Sequence, residues 1–219
     1  MRFAGPDGFG ELELIYGDDN PVQGIVIPPL FDEHNRMRRV IAQAMRTLAM
    51  NGIGTRMPVL AGLGESLSDL ANARLKDWRA AIAAAAAPAF TIAFRGGALI
   101  DDAAGDIPHW RLSPVAGAAL IRDLDRGRLV GGEADAADAP YLLRGGHRVG
   151  RELHAELIAA VPMASNKART IRTADDPAPA DAYIDFAPIW RRAEPGDDPD
   201  LTNWIVQDII YWSKSCAIS

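Results

Sequence analysis

The sequence predicts an α/β fold, a mostly parallel sheet with helices on both faces. Three observations carry this. A continuous β-branched run, Gln23 to Leu30, reads as a strand buried on both faces. Apolar residues then recur at helical spacing through Met37, Val40, Ile41, Ala44, Met45 and Leu48. Strand-like and helix-like segments keep alternating as far as Val115, the pattern of parallel strands joined by helical crossovers. With 219 residues, 48% of them apolar, the chain can bury a sizeable core, and we expect one domain over residues 1–219.

The elements follow in order. "GELELIYG", Gly10 to Gly17, alternates like a strand and ends in the turn "DDNP". Pro28 and Pro29 stop the next strand. The helix from Asn35 ends at Gly52, a good C-terminal stop. "IGTRMPVL" is a weaker strand, and Ser66 to Pro88 reads as a loop and then an alanine-rich helix. "AFTIAF" is a strand, "GGALIDDAAG" a corner with a short helix, and His109 to Val115 a further strand. Beyond it, "AGAALIRDLDRGRLV" and "GHRVGRELHAELIAAV" read as helices, and Gly131 to Pro140 as a surface connection. "ARTIRT" is a late strand, "ADDPAPAD" an exposed loop. Leu201, Trp204, Ile205, Asp208, Ile209 and Trp212 share one face of a last helix, whose aspartate interrupts the apolar stripe.

Composition removes several functions. A net charge of −6 argues against a nucleic-acid binder, which needs a basic face. No apolar run is long enough to span a membrane, and the first residues lack the apolar centre of a signal peptide. The single cysteine, Cys216, excludes an intrachain disulfide and suits a reducing compartment, so we expect a cytoplasmic protein. "GLGES" lacks the third glycine of a dinucleotide fingerprint, and there is no Walker loop or HExxH, so no cofactor or metal is expected.

Three landmarks stand in order: "IPPLFDEHNRMRR" after the buried strand, "GIGTRMPVLAGLGES" after the first helix, and "AFRGGAL" at a strand-to-helix corner. Together they resemble the α/β-hydrolase fold, and more closely the exosortase A system-associated hydrolases of Gram-negative bacteria. Pro28, Pro29, Glu33, Asn35, Arg38 and Arg39 match that family's Pro-Pro segment, with Asp32 an acidic near-match. Gly62, Gly64, Glu65 and Ser66 approximate its second motif. Arg95 and Gly97 match a branch with arginine at the corner, while Ala93 replaces its first glycine. The resemblance covers residues 23–115 well and residues 116–219 loosely, through "GGHRVGRELHAEL" and "PIWRRAEPG". It implies a setting near surface-polysaccharide and exosortase systems.

A nucleophile elbow presents a side chain on a tight strand-to-helix turn, flanked by small residues. Here that side chain is Arg95, whose guanidinium stays protonated and cannot act as a nucleophile. Gly96 would supply the oxyanion N–H after the nucleophile, with Leu30 or Phe31 supplying the second. In this fold the triad runs nucleophile, acid, histidine. None of His34, His109, His147 and His154 follows the late strand, although Asp175 and Asp176 sit where the acid belongs. The candidates for other chemistry are Ser66, His34 and His147. Ser66 reads as a turn residue, Asp32, Glu33 and His34 as a solvated helix start, and His147 and His154 as lying two turns apart on one helix face.

Arg95 admits two roles: an anchor for a carboxylate or phosphate, or an internal ion pair with Asp32 or Glu33, which is favoured because a semi-buried arginine needs a partner. The first functional reading is a degenerate hydrolase relative that binds an anionic or acyl ligand over Arg95, Gly96 and the loop holding Leu30, Phe31, Asp32 and Glu33. The second is an ester or thioester hydrolase with a non-standard nucleophile. The last helix, through Trp204, Ile205, Ile209 and Trp212, offers either core packing or a homodimer contact.

Overall fold

The computed structural model describes residues 2–4, 11–85, 87–131, 135, 136 and 138–216. In chain order these form β1 (Arg2–Ala4), β2 (Glu11–Tyr16), β3 (Val22–Ile27), α1 (Asp32–Met50), β4 (Ile53–Pro58), α2 (Leu75–Ala83), β5 (Phe90–Phe94), β6 (His109–Leu112) and α3 (Gly117–Gly131). Next come β7 (Tyr141–Arg144), β8 (His147–Gly150), α4 (Arg151–Ala159), β9 (Ala168–Thr173), β10 (Ala182–Ile184) and α5 (Pro199–Cys216). Short 3₁₀ turns occupy Arg95–Leu99, Asp101–Ala104 and Ile189–Arg191. The surface connection expected over Gly131 to Pro140 lies in part outside the described residues.

Eight strands form one sheet in the order β1-β2-β4-β3-β5-β6-β9-β10. From β4 to β10 every pairing is parallel, while β2 runs antiparallel to β4 and β1 antiparallel to β2. β3 is central, and its alternation sends Val26 to one face and Ile25 and Ile27 to the other. α1 and α5 cover the first face, with Met37, Val40, Ile41, Met45, Leu48, Ile205 and Ile209 fully buried. α2, α3 and α4 cover the second through Trp78, Ile82, Leu120, Leu153 and Leu157. The chain thus leaves β3 toward one face and β5 toward the other, and such a switch point at the carboxyl ends of the strands is where open α/β sheets bind ligands.

One expectation needs correction. The stretch read as one helix from Gly145 is a hairpin followed by a helix. Gly145 and Gly146 both have positive φ, 55° and 84°, the conformation that a two-residue hairpin turn requires. β7 and β8 pair antiparallel across it, and only Arg151–Ala159 is helical. His147 therefore lies in a strand, and it shares no helix face with His154. The last helix packs on the sheet through the face expected for it. Ile205 and Ile209 are fully buried on the sheet, Trp204 and Trp212 pack beside them, and Trp212 meets Phe90 edge-on at 5.5 Å. Ile205 and Ile209 are thus core residues, while Trp204 and Trp212 stay partly exposed. The residue interrupting that face, Asp208, accepts from Trp110 Nε1 at 2.8 Å and from Arg169 Nε at 2.9 Å. Trp110 and Arg169 are direct partners across β6 and β9, so one carboxylate ties α5 to two strands.

Candidate functional site

Backbone strain marks one place in the molecule. Among the described residues, three that are not glycine have positive φ: Phe31 at 56°, Arg95 at 53° and Ser113 at 45°. Each follows the carboxyl end of one of three adjacent strands, β3, β5 and β6. Such conformations cost of order 1–3 kcal/mol each and persist where surrounding structure over-determines them, often at functional sites.

The corner after β5 is built by close approach. A Cβ on Gly97 would lie 2.7 Å from the carbonyl oxygens of Ile27 and Pro28, so only glycine lets the corner nest against the end of β3. A Cβ on Gly96 would come within 3.1 Å of Leu30 and 3.2 Å of Leu120. The sharp turn presents Arg95, yet the arginine is 8% exposed because the surrounding groups close over it.

Of the two acids weighed for Arg95, Glu33 takes the guanidinium. Arg95 Nε lies 3.1 and 3.2 Å from the two Glu33 carboxylate oxygens, and Nη2 lies 2.9 Å from Oε1. Nη1 donates to the Ser113 carbonyl at 3.1 Å. The Trp190 ring stacks on the guanidinium, with Cζ 4.8 Å from its centroid, a cation–π contact that also shields the charge from water. Asp32 turns elsewhere, to His147 Nε2 at 3.0 Å and Arg36 at 3.7 Å. The His147 hydrogen bond holds its carboxyl below the ordinary range, against the opposing effect of burial.

The structure therefore brings Leu30, Phe31, Asp32, Glu33, Arg95 and Gly96 to one end of the sheet. His147 joins them from the β7–β8 hairpin, with its ring 5.4 Å from that of Phe31. Ser66 and His34 belong to a neighbouring turn. Ser66 Oγ accepts from the Gly62 and Ser68 N–H groups at 2.8 and 3.1 Å. His34 lies beneath Gly64, 4.0 Å from Glu65, and burial lowers its pKa. His109 pairs with Thr91 Oγ1 at 2.8 Å. Among the described residues, none of the four histidines hydrogen-bonds a serine or Cys216.

Two residues at the site were not singled out by sequence reasoning, Ser113 and Trp190. Ser113 Oγ and Trp190 Nε1 are both buried without a hydrogen-bond partner. "PIWRR" had signalled the segment, but nothing in a single sequence says that its tryptophan returns to cover the corner. After β9, Asp176 is held low although burial opposes this: it accepts from the Ala178 N–H and from Arg172 at 2.6 Å, and the Arg95 charge adds to the effect.

An open cavity of about 520 Å³ lies elsewhere, where β6 and β9 begin, lined by Pro108, Lys167, Arg169, Trp212 and Cys216 among others. Its cations already have partners, Lys167 with Asp106 and Arg169 with Asp208. No strained backbone accompanies it among the described residues, so the corner at the opposite end of the strands is the better candidate site.

No protein-family model matches the chain, and no curated protein matches it. Solved structures do. Est1E from Butyrivibrio proteoclasticus, seen with ferulic acid bound, is similar over 100% of both chains, with a TM-score of 0.63 at 15% identity. A carboxylesterase of the ammonia-oxidizing Thaumarchaeon Nitrososphaera gargenis covers 80% of this chain and 81% of its own, with a TM-score of 0.53 at 12% identity. AqDC, described in recognition and ring-cleavage of the Pseudomonas quinolone signal, covers 98% of this chain and 100% of its own (TM-score 0.55, 15% identity). At such identities the likeness is one of fold, and it agrees with the strand order and the corner after β5: this chain has the α/β-hydrolase fold.

Proposed function

We propose that this protein is a hydrolase-like binding or accessory protein without a working Ser-His-Asp triad. It holds an acyl or anionic ligand at the carboxyl ends of β3, β5 and β6. The observation that carries this reading is Arg95 at the elbow, in the strained conformation of a nucleophile but locked to Glu33. Asp176 follows β9 and Trp190 follows β10, so a tryptophan stands over the corner where the fold would place its histidine. The motif resemblance adds a setting near surface-polysaccharide and exosortase systems, and the lone cysteine suits the cytoplasm. No described helix is long and apolar enough to cross a membrane.

One observation favours the second reading, a hydrolase of esters or thioesters. Asp32 and His147 form a carboxylate–imidazole pair beside Phe31, the kind of pair that can act as a general base. Intact-mass analysis after fluorophosphonate treatment, beside a panel of short acyl esters, separates the two. We expect neither label nor turnover. Labelling with turnover, lost in His147→Ala, would replace the binding reading with a hydrolase that uses the Asp32–His147 pair.

A further inference from the structure

The ligand reading above leaves open whether the bound group is charged. We propose that the site takes an uncharged acyl group, an amide or ester carbonyl with a short apolar chain, and discriminates against the corresponding carboxylate. This rests on the ligand-binding reading and narrows it.

The charge balance at the corner is closed. Arg95 is matched by Glu33, both nearly buried, with their shortest contact at 2.9 Å. The next charges outward are also paired, Asp32 with His147 and Arg36, and Asp176 with Arg172. An incoming carboxylate would sit beside the Glu33 carboxylate with no unpaired cation among the described residues of the corner to meet it, and a buried uncompensated charge is costly. Arg95 would attract an anion only by releasing Glu33, which would leave that acid buried alone.

The hydrogen-bond balance is open, and it is open on the donor side. Ser113 Oγ and Trp190 Nε1 are unpartnered, and their residues are 1% and 4% exposed. Both residues flank the guanidinium, Ser113 through its carbonyl 3.1 Å from Nη1 and Trp190 through its stacked ring. Nη1 and Nη2 each carry a further hydrogen beyond the bonds described. Buried donors without partners are rare in native structures and call for an acceptor. A carbonyl oxygen supplies one without bringing charge. Leu30 and Leu120 against Gly96, with Phe31 in the same apolar cluster, offer the wall that an acyl chain would need.

The test is calorimetric titration of the whole protein at pH 7.5 with hexanamide and with hexanoate, which share a chain and differ in charge. Hexanamide should bind at least tenfold tighter. Ser113→Ala and Trp190→Phe should each weaken it about 3- to 10-fold, the worth of one hydrogen bond. Trp190→Phe keeps an aromatic ring over Arg95, so its effect reports the N–H group. Tighter hexanoate binding would overturn the preference for an uncharged group and leave the binding reading standing. Binding of hexanamide that both variants leave unchanged would overturn the assigned donors. If a folded protein, checked by circular dichroism, binds neither compound at millimolar concentration, both this inference and the binding reading fall.

Discussion

Two arginine–carboxylate pairs lie close to the neighbouring strands β5 and β6, and they are built for different purposes. Arg111 in β6 donates through Nε and Nη2 to Asp101 at 2.7 and 2.9 Å, and through Nη1 to the Met163 carbonyl at 2.8 Å. His109 lies 3.9 Å from the same aspartate and hydrogen-bonds Thr91. Asp101 is 0% exposed, and none of these four residues has a buried side-chain polar atom without a hydrogen-bond partner. The pair clips the turn after the corner to β6. Arg95 and Glu33 are also buried, though Glu33 at 9% exposure lies nearer the surface than Asp101, and they sit among three strained backbones and two unpartnered donors. Burial and pairing alone are therefore the mark of structure. Strain and unmet hydrogen bonds are what set the corner apart.

The largest effect expected from this contrast is on stability. Arg111→Ala leaves Asp101 buried without its counter-charge and should cost about 3–5 kcal/mol in urea unfolding. Arg95→Ala should cost less, about 1–3 kcal/mol, because Glu33 lies nearer the surface and can regain water. Equal losses from the two variants would erase the distinction between the clusters.

Acid should act on the cluster of Arg111, Asp101 and His109. Burial holds His109 below its ordinary 6.5, and it does the same to His34 and His154, which lie outside the hydrogen bonds of both pairs. As the pH falls through about 6.5 the unfolded chain takes up protons that the folded chain refuses, so stability drops, by at most about 1.4 kcal/mol per pH unit for each proton. Asp101 runs the other way: burial raises it above 3.8, so the folded state gains its proton first and is favoured as acid is added. Urea midpoints from pH 7.5 to 5.5 should fall, and His109→Gln should flatten the slope. A slope unchanged in that variant would place the sensitivity elsewhere. The smallest effect is at the rim. Arg148 is half-exposed, bonded to Asp69 at 2.8 Å and stacked on Tyr141, and Arg148→Ala should cost less than about 1 kcal/mol.

The sheet was legible wherever a strand is buried on both faces, as at Gln23 to Ile27, or a helix repeats at regular spacing, as at Met37 to Leu48. The Arg95 corner was legible because glycines leave a local signature. The β7–β8 hairpin was missed because its four-residue strands are too short to show alternation, although Gly145-Gly146 was the available signal. β10 has three residues and carries no period at all. The choice of Glu33 over Asp32, and the return of Trp190 and Ser113 to the corner, depend on contacts between residues far apart in the chain, which a linear pattern does not encode.

Asp208 has a consequence for how the molecule closes. A helix that offered the sheet nothing but isoleucine and tryptophan would slide and roll with little penalty, since apolar contact has no direction. One carboxylate that must meet an indole N–H on β6 and a guanidinium on β9 works as a locating pin. Asp208→Leu would keep α5 on the sheet while letting it settle in more than one rotation, and the spread of its amide resonances would report that lost uniqueness.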